Sequence, residues 1–262
     1  MRKTQTLCGG KFSVEMEVAG RGEPLLFLHG FSGLMAENPF LDELGRDFQV
    51  FAPHLPGFGD STGAELIDDV IDAALFYHEL MDELKIPSAN IVAHSMGAML
   101  AAELATLDVH RARKLVLAAP MGLWLDEHPI PDLFATQFFE LPALLFHDPK
   151  SPMAQAMTSS STLPSLLGAM SANIENTKRY GMSSKFLYPL PYRGLRKRAY
   201  RIQPPTLVLM GESDRLVPRA YGKAFTSIIA NAKEEVVAKS GHMLMYEQQA
   251  DFCKAVTKFL KA

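Results

Sequence analysis

Residues 90–100 read NIVAHSMGAML: an apolar run, a serine between a histidine and a methionine, a glycine, then more apolar residues. How His94 and Ser95 are read decides the rest. Taken alone the interruption has an ordinary explanation, since a serine ahead of a buried helix caps its first free amides. A second reading has a strand ending at Ser95 and a helix beginning at Met96. The serine then stands on a sharp turn above a sheet, at the positive end of the following helix. Such a turn demands small residues two before and two after the serine, and Ala93 and Gly97 occupy those places.

The flanks favour the second reading. Working outward, NIVAHS (90–95) joins five other short β runs: LLFLHG (25–30), FQVFAPHL (48–55), KLVLAAP (114–120), TLVLMGE (206–212) and EEVVAKSG (234–241). Several are continuously apolar, as parallel strands covered on both faces are. The opening residues alternate around Gly9-Gly10, which predicts an antiparallel hairpin. Between the runs, 64–86 repeats apolar residues at helical spacing, with Thr62 and Glu65 placed as a capping box. Residues 96–107 are apolar almost all round, as a helix buried against a sheet would be. Pro218 suits the first turn of a helix running to about residue 230, and 247–261 reads as a terminal amphipathic helix. This alternation predicts an α/β fold with a doubly wound, mostly parallel sheet.

The rhythm breaks between Met121 and Gln203. Short helical pieces there are interrupted by Pro129, Pro131, Pro142, Pro149, Pro152 and Pro164, with no strand pattern. The stretch is too long for a simple loop. It is read as an inserted helical cap (121–203) over one edge of a core made of 1–120 and 204–262. The cap is rich in phenylalanine and methionine, whose ordinary role is the subdomain's own core. Trp124, Phe138, Met153 and Met157, with His29 from the core, are also the candidates for lining an apolar substrate pocket. The basic run RGLRKRAYR (193–201) is read as a solvated helix face rather than a site for an anionic partner.

Composition narrows the classes of function. The 262 residues suffice for one large domain, and a net charge of −3 gives no reason to expect nucleic acid or an anionic membrane as partner. Cys8 and Cys253 are no disulfide framework and fit a reducing compartment. The N-terminal residues lack the apolar core of a signal peptide, and no uncharged stretch reaches the roughly 18 residues that span a membrane. A cytoplasmic protein acting on a small molecule is expected. No cofactor is expected either, because neither a metal-ligand cluster nor a phosphate loop is visible. Nothing in the pattern sets an oligomeric state.

A serine hydroxyl becomes a good nucleophile only beside a base that a third group holds in one tautomer. His242 directly follows the last β run, and Asp214 lies two residues beyond the run before it. Both therefore belong to one sheet edge. The chain order Ser95, Asp214, His242 is that of one particular fold. Asp126, after the 114–120 run, is the rival acid, and a surface ion pair with Arg215 is the ordinary reading of Asp214. The amides of Phe31 and Met96 are placed as oxyanion donors. His29 then braces the oxyanion loop, and His94 is structural, pointing away from the nucleophile.

These pieces resemble the α/β-hydrolase superfamily, in the branch with a helical cap and a serine nucleophile. FLHGFSG, FAPHLPGFGDS, IVAHSMGAM, PPTLVLMGESDRLVP and SGHMLMYE carry the resemblance, in the right order and outside the cap. One departure is His54, where members often have an aspartate. The resemblance implies a serine hydrolase that cleaves a carboxylic ester or lactone through an acyl-enzyme. It also accommodates a carbon–carbon bond hydrolase of ring-cleavage products, a thioesterase, or a non-enzymatic ligand receptor.

Overall fold

In the computed structural model, residues 1–158 and 166–262 are described, with side chains described outside 156–173. The apolar runs become strands. A hairpin comes first: β1 (Arg2–Leu7) and β2 (Phe12–Ala19) pair antiparallel, and Gly9 and Gly10 turn the chain at φ 66° and 97°. Then follow β3 (Pro24–Leu28), β4 (Gln49–Pro53), β5 (Ala89–His94), β6 (Ala112–Ala118), β7 (Thr206–Gly211) and β8 (Ala232–Val237). The sheet order is β1-β2-β4-β3-β5-β6-β7-β8, antiparallel through β2–β4 and parallel from there on.

Helices cover both faces of this sheet. They are α1 (Pro39–Leu44), α2 (Val70–Glu83), α3 (Met96–Leu107), α4 (Leu141–Leu145), α5 (Pro152–Thr158), α6 (Leu166–Leu187), α7 (Ala220–Ile228), α8 (Leu244–Glu247) and α9 (Gln249–Lys261). Alternate residues of one strand point to opposite faces. On β5 and β6, Ile91, Ala93, Leu115 and Leu117 share a core with α2, α3 and α7, whereas Val92, Val116 and Ala118 share another with α1 and α9. The continuous hydrophobicity of these strands reflects that double burial.

Three local expectations change. No capping box forms at Thr62, whose amide bonds to the Ser13 carbonyl at 2.9 Å and is drawn to the sheet. The helix starts later, at Val70, where the Asp69 carboxylate accepts the Ile71 and Asp72 amides at 2.7 and 3.1 Å. Pro218 precedes α7 rather than opening it, and its carbonyl receives the Tyr221 amide at 2.9 Å. Nor is 193–201 a solvated helix face. It forms two 3-10 turns, Leu195–Lys197 and Ala199–Arg201, that fasten onto α3. Arg198 donates to both carboxylate oxygens of Glu103 at 2.8 and 2.6 Å, and Arg201 Nε donates to the Thr106 carbonyl at 2.6 Å. Glu103 is wholly buried, and a buried carboxylate is retained only when paired.

Between β6 and β7 the described residues contain helices and turns and no strand. No helix among the described residues is long and apolar enough to cross a membrane.

Candidate active site

Ser95 sits where β5 gives way to α3, at φ 56° and ψ −118°, a conformation that side-chain-bearing residues avoid. The surrounding backbone holds it there. Its amide donates to the Ala118 carbonyl at 2.8 Å, and its carbonyl accepts the Ala98, Met99 and Met121 amides at 3.1, 3.2 and 3.2 Å. The crowding expected of this turn is present. A Cβ on Gly97 would lie 2.4 Å from the Leu28 and His29 carbonyl oxygens, so only glycine fits. A Cβ on Gly30 would lie 2.9 Å from the Ser95 Cβ.

His242 and Asp214 converge on this serine from the ends of β8 and β7. His242 Nε2 lies 2.8 Å from Ser95 Oγ, and His242 Nδ1 lies 2.9 Å from Asp214 Oδ2. All three residues are buried. The second oxygen of Asp214 accepts the Leu216 and Val217 amides at 2.9 and 2.8 Å. Because a carboxylate only accepts, Nδ1 carries the imidazole proton and Nε2 presents a lone pair to the serine hydroxyl. Arg215 turns from Asp214 and donates to the Ala143 and Phe146 carbonyls, each at 3.0 Å. Asp126 is exposed and accepts the Trp124 indole N–H at 2.9 Å, apart from His242.

The Phe31 and Met96 amides donate to no acceptor among the described residues, although both residues are buried. Free buried amides beside a nucleophile can receive a developing oxyanion. The Phe31 turn is closed by the Gly33 amide on the Gly30 carbonyl at 3.0 Å. His29 ties it down: Nδ1–H donates to the Gly30 carbonyl at 2.9 Å, and Nε2 accepts the Leu55 amide at 3.0 Å. Burial lowers the His29 pKa to about 3, so the ring is neutral and suited to one donor and one acceptor role. Both nitrogens thus face backbone rather than a cavity. His94 lies against His242: its Nε2–H donates to the His242 carbonyl at 2.8 Å.

Of the other pocket candidates, Trp124 lines a cavity of about 250 Å³ with Met121, Leu133, Phe134, Leu187 and Leu190. Met121, one of its lining residues, is tied to the Ser95 turn by its amide on the Ser95 carbonyl. Phe138 lines a smaller one of about 60 Å³ beside Phe31, Arg179 and Tyr180. Met153 lies in a separate open groove with His147 and Tyr246. The side chain of Met157 lies outside the described residues. Sequence reasoning missed Arg179, whose Nη1 donates to the Ser32 carbonyl at 2.7 Å and tethers α6 to the Phe31 loop. A lone arginine on a polar helix gives no signal of such a bond. His54, the departure noted in the sequence, is buried 4.0 Å from a Glu15 carboxylate oxygen.

A family model described as the alpha/beta hydrolase fold matches residues 23–249. The chain belongs to this family. The hydrolase is 28% identical, over 92% of its length, to the dihydrolipoyllysine-residue acetyltransferase component of an acetoin cleaving system from Cupriavidus necator. It spans only 64% of that relative. It is 27% identical to a 2-hydroxy-6-oxo-6-phenylhexa-2,4-dienoate hydrolase from Comamonas testosteroni, covering 95% of this chain and 92% of the relative. The solved structure of a hydrolase of the same name from Rhodococcus sp. strain RHA1 superposes with a TM-score of 0.79. That match covers 100% of this chain and 99% of the other at 22% identity, and it shows the shared fold. Among the described residues no group of three or more His, Cys, Asp or Glu side chains could hold a metal ion.

Proposed function

We propose that the hydrolase transfers an acyl group from a small carboxylic ester or lactone to water, with Ser95 as nucleophile, His242 as base and Asp214 as its support. The unbroken relay from Ser95 Oγ through His242 to Asp214, at 2.8 and 2.9 Å, carries this reading. As Ser95 Oγ bonds to the carbonyl carbon, its proton passes to His242 Nε2 and the π electrons move to the carbonyl oxygen. The Phe31 and Met96 amides receive that oxyanion, each such donor being worth about 3–4 kcal/mol in comparable sites. Collapse breaks the bond to the alkoxy group, which takes the proton from His242 and departs as an alcohol. Water then attacks the acyl-enzyme with the same histidine as base, and Ser95 is released with its proton restored.

Residues 121–203 act as the cap in this scheme. Its cavity of about 250 Å³, lined by apolar side chains together with Asp132 and exposed polar atoms, supports a substrate with an apolar portion. The scheme calls on no cofactor, because proton exchange of His242 with Ser95, the leaving group and water completes the cycle while Asp214 stays ionised. The small-molecule substrate is met in the cytoplasm, in keeping with the free thiols of Cys8 and Cys253.

A second reading is cleavage of a carbon–carbon bond next to a ketone, favoured by the relative that hydrolyses a 6-oxo-6-phenyl dienoate. Two measurements separate them. A fluorophosphonate should label the protein but not its Ser95→Ala variant, and nitrophenyl esters of rising acyl length should turn over many times. Labelling that persists in Ser95→Ala removes the nucleophile assignment. A single burst on every ester with steady turnover of an oxo-dienoate selects the second reading.

A further inference from the structure

Asp214 and His242 stand on separate loops, after β7 and β8. Besides the His242–Asp214 bond itself, the Ser213 amide bonds the Ser240 carbonyl at 2.9 Å and the Lys239 amide bonds Glu212 Oε2 at 2.8 Å. Both lie upstream of the two functional residues. Downstream, among the described residues, a third party bridges the loops, the segment Ala143–His147 that ends α4 and leaves it.

That segment is bonded to residues flanking each functional side chain. Around Asp214, Arg215 donates to the Ala143 and Phe146 carbonyls at 3.0 Å, and His147 Nδ1 lies 2.8 Å from Ser213 Oγ. Around His242, the Met243 amide donates to the Leu145 carbonyl at 3.1 Å. Glu247 completes the junction, one oxygen accepting the His147 amide and the other the Gly241 amide, each at 2.7 Å. Contact is close enough to exclude a side chain: a Cβ on Gly241 would lie 2.7 Å from the Leu145 carbonyl oxygen and 2.8 Å from the His147 nitrogen. Leu145 and Phe146 are themselves buried, so the segment has a fixed seat.

We propose that Ala143–His147 and Glu247 form a clamp that sets the spacing of Asp214 and His242, with Glu247 and Arg215 as positioning residues that act through it. The inference rests on the Ser95–His242–Asp214 reading above. It gives the insertion a task separate from holding substrate. The same segment that continues into the cap keeps the base in line with its carboxylate. A displacement of about 1 Å at such a relay is enough to cost about 100-fold in rate.

Glu247→Gln tests this. It keeps the shape and one acceptor oxygen, but turns an NH₂ toward one of two amides. Its kcat per phosphonate-titrated site should fall about 10- to 100-fold with KM within about twofold, the signature of a lost alignment rather than lost binding. The downfield NMR resonance of the His242 Nδ1 proton should shift or broaden in parallel. Arg215→Lys, which restores one donor, should keep more kcat than Arg215→Met. A merely structural role would lower the unfolding midpoint and leave kcat per titrated site and the Nδ1 resonance unchanged. That result overturns the clamp. Should Glu247→Gln not fold, the Arg215 pair decides by the same readouts. Failure of the underlying triad looks different: Ser95→Ala would still turn over, or the unmodified enzyme would show no such resonance.

Discussion

His94 and His242 lie ring against ring, with centroids 4.7 Å apart and planes inclined at 50°. The first ends β5 next to Ser95, the proposed nucleophile, and the second is the proposed base, so the contact joins β5 to the loop after β8. Burial holds His94 well below the usual imidazole range, which keeps it neutral and leaves its Nε2–H for the His242 carbonyl. His94→Phe preserves the stacked ring but abandons that carbonyl. An unpaired buried acceptor costs about 1–3 kcal/mol, so the urea midpoint should fall by a corresponding amount. A variant with an unchanged midpoint would show that the carbonyl needs no partner.

The two candidate acids differ in what they touch. Asp214 faces His242 Nδ1 and two backbone amides, while Asp126 meets only the Trp124 indole at the surface. Asp214→Asn turns the histidine to the wrong tautomer and should lower kcat by about 10⁴-fold. Asp126→Asn should leave kcat within about twofold, because an exposed residue with one neutral partner sets neither tautomer nor charge. Steady-state kinetics on a nitrophenyl ester reads both. A reversed order would place the acid on the segment after β6.

Acid should destabilise the fold through His29. Its folded pKa is lowered from 6.5 to about 3 by burial, so between those values the unfolded chain binds a proton that the folded one refuses. Stability rises with pH wherever the unfolded state holds more protons. The contribution of His29 is therefore complete above about pH 6.5 and is lost as pH falls toward 3. His94, shifted the same way by burial, adds to it. Urea midpoints at pH 7 and pH 5 should differ by more in the unmodified enzyme than in His29→Gln. Equal pH slopes would remove His29 from the account.

Much of this was legible because the strongest signals are local and short. Five of the apolar runs became strands within a residue or two, since continuous hydrophobicity has few other outlets in a βα chain, whereas the strand of the run 234–241 spans Ala232–Val237 and ends four residues early. Ser95, Asp214 and His242 could be placed because each abuts the carboxyl end of a strand, and strand ends share one edge of a parallel sheet. Thr62 shows the limit. It satisfies a capping pattern as well as Asp69 does, and the pairing with Ser13, far earlier in the chain, drew it away. The basic run 193–201 shows another. Arg198 reads as solvated until Glu103, a buried acid far off in sequence, supplies its partner. Nor does any periodicity reveal that Leu145 will meet Met243.

The Glu103–Arg198 pair joins α3, which begins directly after Ser95, to the turns of residues 193–201. Glu103 is completely buried and Arg198 is about one-third exposed, so the two changes have unequal consequences. Arg198→Met strands a carboxylate in the core, which costs about 3–5 kcal/mol for a fully buried pair, with water access to the arginine favouring the lower end. Glu103→Gln leaves a neutral acceptor for the guanidinium and should cost less. The double variant Glu103→Leu/Arg198→Met removes the stranded charge and should recover most of the loss, because buried ion pairs replaced by apolar groups of similar volume are often neutral in stability. Urea unfolding of Glu103→Leu, Arg198→Met and the double variant closes the cycle. Were the double variant as unstable as the sum of the singles, the two residues would act independently, and the pair would not be what fastens residues 193–201 to α3.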